Sequence, residues 1–153
     1  MAKAPHIMIV EAPFYAHISN ALLRGVTAEL DRQGASHDRY QVSGAFEIPG
    51  AIRFAIEARR KQTGAPRYDG YIALGCVIRG ETTHYETICA ESARGLMDLV
   101  LEHGVALANG ILTVENEAQA LARASIEDKN KGGEFAQACL TMVGLRRTFR
   151  LDE

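Results

Sequence analysis

One stretch of the chain has residue types suited to binding and transforming a small anion: Gly75-Cys76-Val77-Ile78-Arg79-Gly80-Glu81-Thr82-Thr83-His84. An apolar run ends there, a glycine-flanked turn follows, and a helical pattern begins. Thr83 and Glu86 fit a capping box, and Thr82 adds a second hydroxyl. The free N–H groups and dipole of such a helix end suit an anion, although an ordinary capped helix is spelled the same way. The spelling also approaches the triphosphate-binding loop G-x-x-x-x-G-K-[ST]. Glu81 stands where that loop needs lysine, and a carboxylate there repels β- and γ-phosphates, so a nucleotide triphosphatase is excluded. A single phosphate group is the anion that fits.

His84 falls in the first turn of the same helix. The positive helix end disfavours imidazolium, so the ring is expected to stay neutral near pH 7 and able to accept a proton. A plain surface histidine is the common alternative. A metal centre is not expected, because His84, Glu86 and Cys89 lack a recognised ligand spacing and His84 and Glu86 point to different sides of a helix.

Other candidates lie in three further stretches. Gly44-Ala45-Phe46-Glu47-Ile48-Pro49-Gly50 surrounds one aromatic and one carboxylate with two glycines and a proline. Glu47 can accept hydrogen bonds from a hydroxylated ligand, or simply supply helix N-terminal charge. Phe14, in Ala12-Pro13-Phe14-Tyr15, can stack on a planar ring or cover the end of the sheet. Arg123 and Lys131 flank a break in a helical pattern, and nothing in their spacing separates them from solvated surface.

Strands and helices must alternate to position these groups. Residues 6–10 read as a strand. Ile18, Leu22, Val26 and Leu30 mark an amphipathic helix closed by Gly34. Residues 37–42 read as a second strand, and a helix follows Pro49 with Ile52, Ala55 and Ile56 turned inward. After a loop at 63–66, residues 71–77 are apolar enough for a strand covered on both faces. A long helix is expected over 83–103, a strand over 105–112, and a helix opened by the capping box Asn116-Glu117-Ala118-Gln119. Residues 129–133 interrupt that helix, and a last one runs to Arg147. Such alternation gives a single α/β domain over 1–153. Its simplest form is a flavodoxin-like three-layer sandwich with a four-stranded parallel sheet, whose ligands bind beyond the carboxyl ends of the strands.

Composition narrows the function classes. At 153 residues, with 47% hydrophobic and 24% charged residues, the chain is an ordinary globular domain able to build its own core. The formal net charge of −2 offers no basic stripe for nucleic acid. No apolar run reaches a membrane span, and the N-terminal Met1-Ala2-Lys3-Ala4-Pro5-His6 leads into a run too short for a signal peptide, which makes the cytoplasm the default. The three scattered cysteines, Cys76, Cys89 and Cys139, read as reduced and mostly buried thiols.

Taken together, the stretches resemble one family. Residues 44–49, 75–84 and 110–116 are similar to three signature stretches of lumazine synthase, and Asn130-Lys131-Gly132 to a fourth, in order and over nearly the whole chain. The resemblance implies condensation of 5-amino-6-(D-ribitylamino)uracil with 3,4-dihydroxy-2-butanone 4-phosphate to 6,7-dimethyl-8-ribityllumazine, without metal or redox cofactor. It implies that Phe14 stacks on the pyrimidine ring and that Ala45, Phe46 and Glu47 line the ribityl chain. Val77 and Ile78 offer backbone to the pyrimidine edge, Glu81 and Thr82 form the phosphate turn, His84 moves protons, and Glu134 orients His84. Arg123 and Lys131 match basic residues that reach the site from a neighbouring subunit.

The resemblance also implies a homo-oligomer: a pentamer, a pair of pentamers or a sixty-subunit shell, with riboflavin synthase as pathway partner. Asn109 departs from the bulky residue many members place against the ring. Lys129 stands where many shell-forming members have glycine, which favours the free pentamer. A flavin-binding protein on the same scaffold would need neither His84 nor Arg123, and the presence of both favours an enzyme.

Overall fold

The computed structural model describes residues 3–151. Met1 and Ala2, which open the N-terminal stretch considered above, and Asp152 and Glu153 lie outside the described residues. In chain order the elements are β1 (His6–Glu11), α1 (Ala16–Arg32), β2 (Ser36–Gln41), a 3-10 turn (Ala45–Glu47) leading into α2 (Ile48–Arg60), β3 (Gly70–Ile78), α3 (His84–His103), β4 (Leu107–Val114), α4 (Glu117–Ala124) and α5 (Lys131–Thr148). The four strands form one parallel sheet in the order β2-β1-β3-β4, the flavodoxin-like sandwich expected from the alternation.

The central strands β1 and β3 are apolar on both faces, as a parallel sheet covered by helices requires. On one face Met8, Val10, Tyr71 and Ala73 pack against Ile48 and Ile52 of α2 and Leu96 of α3. On the other, Ile7, Ile9 and Ile72 meet Val26 and Leu30 of α1 and Ala136, Cys139 and Val143 of α5. Ala120 and Ala124 of α4 complete that second layer against Ile18 and Leu22. Gly132 lets α1 and α5 approach closely, since a Cβ there would stand 2.3 Å from the Leu22 carbonyl oxygen.

Several boundaries differ from the expectation for physical reasons. β1 runs one residue further, through Glu11, because Arg39 binds that buried carboxylate with Nε (2.8 Å) and Nη2 (3.1 Å). β4 begins at Leu107 rather than Val105. Gly104 (φ 62°) ends α3 in a left-handed turn, and the chain needs Val105 and Ala106 to return to the sheet. The helical break covers residues 125–130 rather than 129–133. Asn130 (φ 45°) caps α5 by accepting the Gly133 N–H at 3.2 Å, so Lys131 is already helical. Asn116 caps α4 by accepting Gln119 N–H at 2.9 Å, but the Gln119 side chain reaches back to Glu115 N–H rather than to that of Asn116.

Candidate active site

The sheet creates the site by running out of partners. β3 pairs with β4 as far as Ile78↔Val114, but with β1 only as far as Leu74↔Glu11, after which Ala12 N–H donates to the Leu74 carbonyl at 3.0 Å. Beyond that point β3 has no strand beside it on the β1 side, and Val77 and Ile78 line an open crevice there. The crevice has a volume of about 260 Å³ and includes Phe14, Ala45, Val77, Ile78, His84 and Ile88 in its wall. This is the carboxyl end of the sheet, where ligands of such folds bind.

The turn after β1 presents Phe14 to solvent, 75% exposed, with its only described ring contact an edge-on meeting with Tyr15 at 5.0 Å. A large aromatic left bare beside an apolar crevice offers a face on which a planar ring can stack. Across the crevice the 3-10 turn holds Ala45 against the core while Phe46 stays 57% exposed and Glu47 follows it. Cys76 is buried in the wall, and burial pushes its thiol up to about 11, which makes it an unreactive lining group.

The start of α3 corrects the expected capping box. Thr83 makes no side-chain cap; instead Thr82 Oγ1 accepts the His84 N–H at 3.3 Å. Glu86 is drawn elsewhere: its own backbone N–H and then Arg79 hold its carboxyl below the usual range. Arg79 bonds both Glu86 and Glu115, the latter at 2.8 Å, and lies over the Tyr85 ring at 4.3 Å. The nearest cation in sequence is therefore committed to two carboxylates. The turn of Gly80, Glu81 and Thr82 has helix N–H groups for an anion but no free guanidinium from its own stretch.

The remaining candidates are not in this crevice. Arg123, in the last turn of α4, donates to the Gln119 carbonyl at 3.1 Å. Lys131 and Glu134, in the first turn of α5, pair with each other at 2.7 Å. Both helices cover the sheet face opposite α3, so within one chain Glu134 does not meet His84. Asn109 lies on edge strand β4, its side-chain oxygen accepting the Ile111 N–H at 3.1 Å. Among the described residues no group of three or more His, Cys, Asp or Glu side chains is placed to share a metal, and no helix is long and apolar enough to cross a membrane.

Comparison with known proteins decides what this crevice belongs to. The sequence profile of 6,7-dimethyl-8-ribityllumazine synthase matches residues 4–147. A 6,7-dimethyl-8-ribityllumazine synthase of Bartonella tribocorum is 52% identical over 149 residues, covering 97% of this chain and 95% of the relative. That of Paramagnetospirillum magneticum is 46% identical over 152 residues, covering 99% of each chain. 6,7-Dimethyl-8-ribityllumazine synthase 1 of Rhizobium meliloti is 50% identical over 145 residues, covering 95% and 94%. The chain belongs to the 6,7-dimethyl-8-ribityllumazine synthase family.

As a lumazine synthase family member it is an enzyme of riboflavin biosynthesis. In that light the sequence reading left several wall residues unassigned, among them Tyr15 and Ile88. Both had a signal: Tyr15 adjoins Phe14, and Ile88 lies one helical turn beyond His84. It also missed the Arg79–Glu86–Glu115 network. Its signal was an arginine at a strand end followed by a glutamate in the next helical turn.

Proposed function

We propose that this lumazine synthase joins 5-amino-6-(D-ribitylamino)uracil and 3,4-dihydroxy-2-butanone 4-phosphate in the crevice at the end of β3. The amine of the pyrimidine condenses with the ketone to an imine, losing water. Phosphate is then eliminated, and ring closure with loss of a second water gives 6,7-dimethyl-8-ribityllumazine. The pyrimidine ring stacks on Phe14, and its polar edge bonds backbone in the Val77–Ile78 stretch. The ribityl chain lies along Ala45, Phe46 and Glu47. The phosphate occupies the turn of Glu81 and Thr82, with helix N–H groups and the Thr82 hydroxyl as donors. His84, one residue further on, moves protons between the substrates. Holding the two reactants in register supplies much of the rate.

The site is completed from a second copy. A crevice of about 260 Å³ is small for two substrates, and the phosphate turn has no free cation of its own. Arg123 and Lys131 lie on the opposite helical layer, from which a neighbouring subunit can deliver them to the phosphate. Glu134 travels with them and orients His84 across the same interface, and Asn109 faces the neighbour's ring. The assembly is a pentamer, and the product passes to riboflavin synthase in the cytoplasm. The observation that carries the reading is the bare edge of β3 beside exposed Phe14 and His84, in a chain of this family. Mixing the purified protein with both substrates tests it: lumazine absorbance and phosphate release rise together if it holds, and neither changes if it fails.

A further inference from the structure

At the opposite end of the sheet, a chain of formal net charge −2 gathers arginines. Two clefts of about 430 and 400 Å³ meet along Arg59 and Arg67, which line both. Arg60, Arg146, His103 and Tyr71 contribute to the larger one. Among the described residues no Asp or Glu lines either cleft. Arg59 spends one N–H on the Tyr68 carbonyl at 3.1 Å and has no carboxylate among the described residues. Arg67 makes no hydrogen bond or ion pair among them. Arg60 shares Glu57 with Arg53 and Lys61, so one carboxylate serves three cations.

A second observation comes from His103. Its Nε2 is sealed from solvent without a hydrogen-bond partner among the described residues. The Glu102 carboxylate, at 3.9 Å, is beyond hydrogen-bonding distance. His103 thus brings an unsatisfied polar nitrogen to the wall of the larger cleft, on the protein side of it. Basic residues at the ends of α2 and α5 complement those helix dipoles. That explanation does not reach Arg67, which lies in the connection between α2 and β3, nor the convergence of both clefts on it.

We propose that this groove is an anion site separate from the substrate crevice, suited to a compact ligand carrying two phosphoryl groups. Guanidinium forks match phosphoryl oxygens bidentately. Among the described residues Arg59 and Arg67 have no carboxylate partner and Arg60 shares one, more positive charge than a single phosphate neutralises, and the two clefts joined at Arg59 and Arg67 give room for two groups side by side.

Calorimetric titration of the assembled protein with inorganic pyrophosphate tests this. The wild type takes up pyrophosphate at the groove, and Arg67→Gln weakens that uptake at least tenfold while circular dichroism and lumazine formation stay unchanged. Arg59→Gln weakens it similarly, and Arg67→Lys falls between, because it keeps the charge and loses the fork. Orthophosphate binds the same groove at least tenfold more weakly than pyrophosphate. An isotherm that Arg67→Gln and Arg59→Gln leave unchanged overturns the site, since all binding then belongs to the substrate crevice. Equal affinities for orthophosphate and pyrophosphate overturn the two-group ligand.

Discussion

Phe14→Ala separates ligand binding from folding, because the ring is 75% exposed. A fully buried phenylalanine costs about 3–5 kcal/mol on truncation. With a quarter of that burial, Phe14→Ala should cost about 1 kcal/mol or less, a loss of roughly 2–4 °C in Tm for a chain of this size. Binding should suffer more. A ligand ring on one face covers roughly 60 Å² of apolar surface, worth about 1.5 kcal/mol. The stacking geometry adds about 0.5–1.5 kcal/mol. At 1.4 kcal/mol per factor of ten, the affinity for the pyrimidine substrate falls by roughly 30- to 150-fold. If the butanone phosphate sits at the helix end, as proposed, its affinity should fall less than about threefold, since it has no ring to stack on Phe14. Calorimetric titration of each substrate alone reads both numbers, and Phe14→Tyr should retain most of the affinity. Equal losses for the two substrates, or a Tm drop above roughly 10 °C, would show that Phe14 supports the fold rather than the ring.

His84→Ala should lower kcat roughly 10- to 1,000-fold without abolishing it, because proximity survives the loss of proton transfer; steady-state rates at saturating substrate equal to wild type would remove His84 from the mechanism. Gly132→Ala should destabilise by about 1–3 kcal/mol or more, since its Cβ would stand 2.3 Å from the Leu22 carbonyl oxygen; a urea midpoint unchanged from wild type would show that α1 and α5 have slack. Asp38 is held below the usual carboxylate range, first by the Tyr68 hydroxyl and then by His6. A carboxyl lowered in the folded state stabilises above its ordinary value of about 3.9, and that contribution fades as pH falls through the lower folded value. Asp38→Asn should therefore be less stable than wild type at pH 7, by under about 1 kcal/mol given its exposure, and the difference should shrink as pH falls below the ordinary carboxyl value of about 3.9; a difference that stays constant as pH is lowered rules out the ionic contribution.

The fold was legible where apolar period and capping chemistry agreed. The fourfold recurrence through Ile18, Leu22, Val26 and Leu30 located α1, and all four side chains are fully buried. The two-faced apolar run at 71–77 located β3 within a residue at either end. Boundaries shifted where a tertiary partner changed the meaning of a residue. Glu11 ended the apolar pattern but not β1, since its partner Arg39 lies on a neighbouring strand and cannot be seen from Glu11 alone. The capping box at Thr83 failed because Arg79, from the strand end, competes for Glu86. In the candidate site, the spelling of 75–84 located the crevice wall, and Phe14, Ala45, Val77, Ile78 and His84 do line one space. Arg123, Lys131 and Glu134 had no local signal. Their spacing is that of solvated helix surface, and within one chain they lie across the sheet from the crevice.

Whether each site needs two chains is tested most directly by a refolding mixture. One parent carries His84→Ala and Thr82→Ala, which disable the crevice; the other carries Arg123→Ala, which disables the delivered cation. A charge-assisted hydrogen bond contributes about 1.5–3 kcal/mol, so Arg123→Ala alone should raise KM for the phosphate substrate roughly ten- to a hundredfold. When the parents are unfolded, mixed and refolded, some interfaces pair an intact crevice with an intact Arg123. Shared sites give lumazine formation above the sum of the two parents refolded separately. Correctly assembled mixtures with no activity beyond that sum would show that each site is complete within one chain, and would contradict the shared-site account.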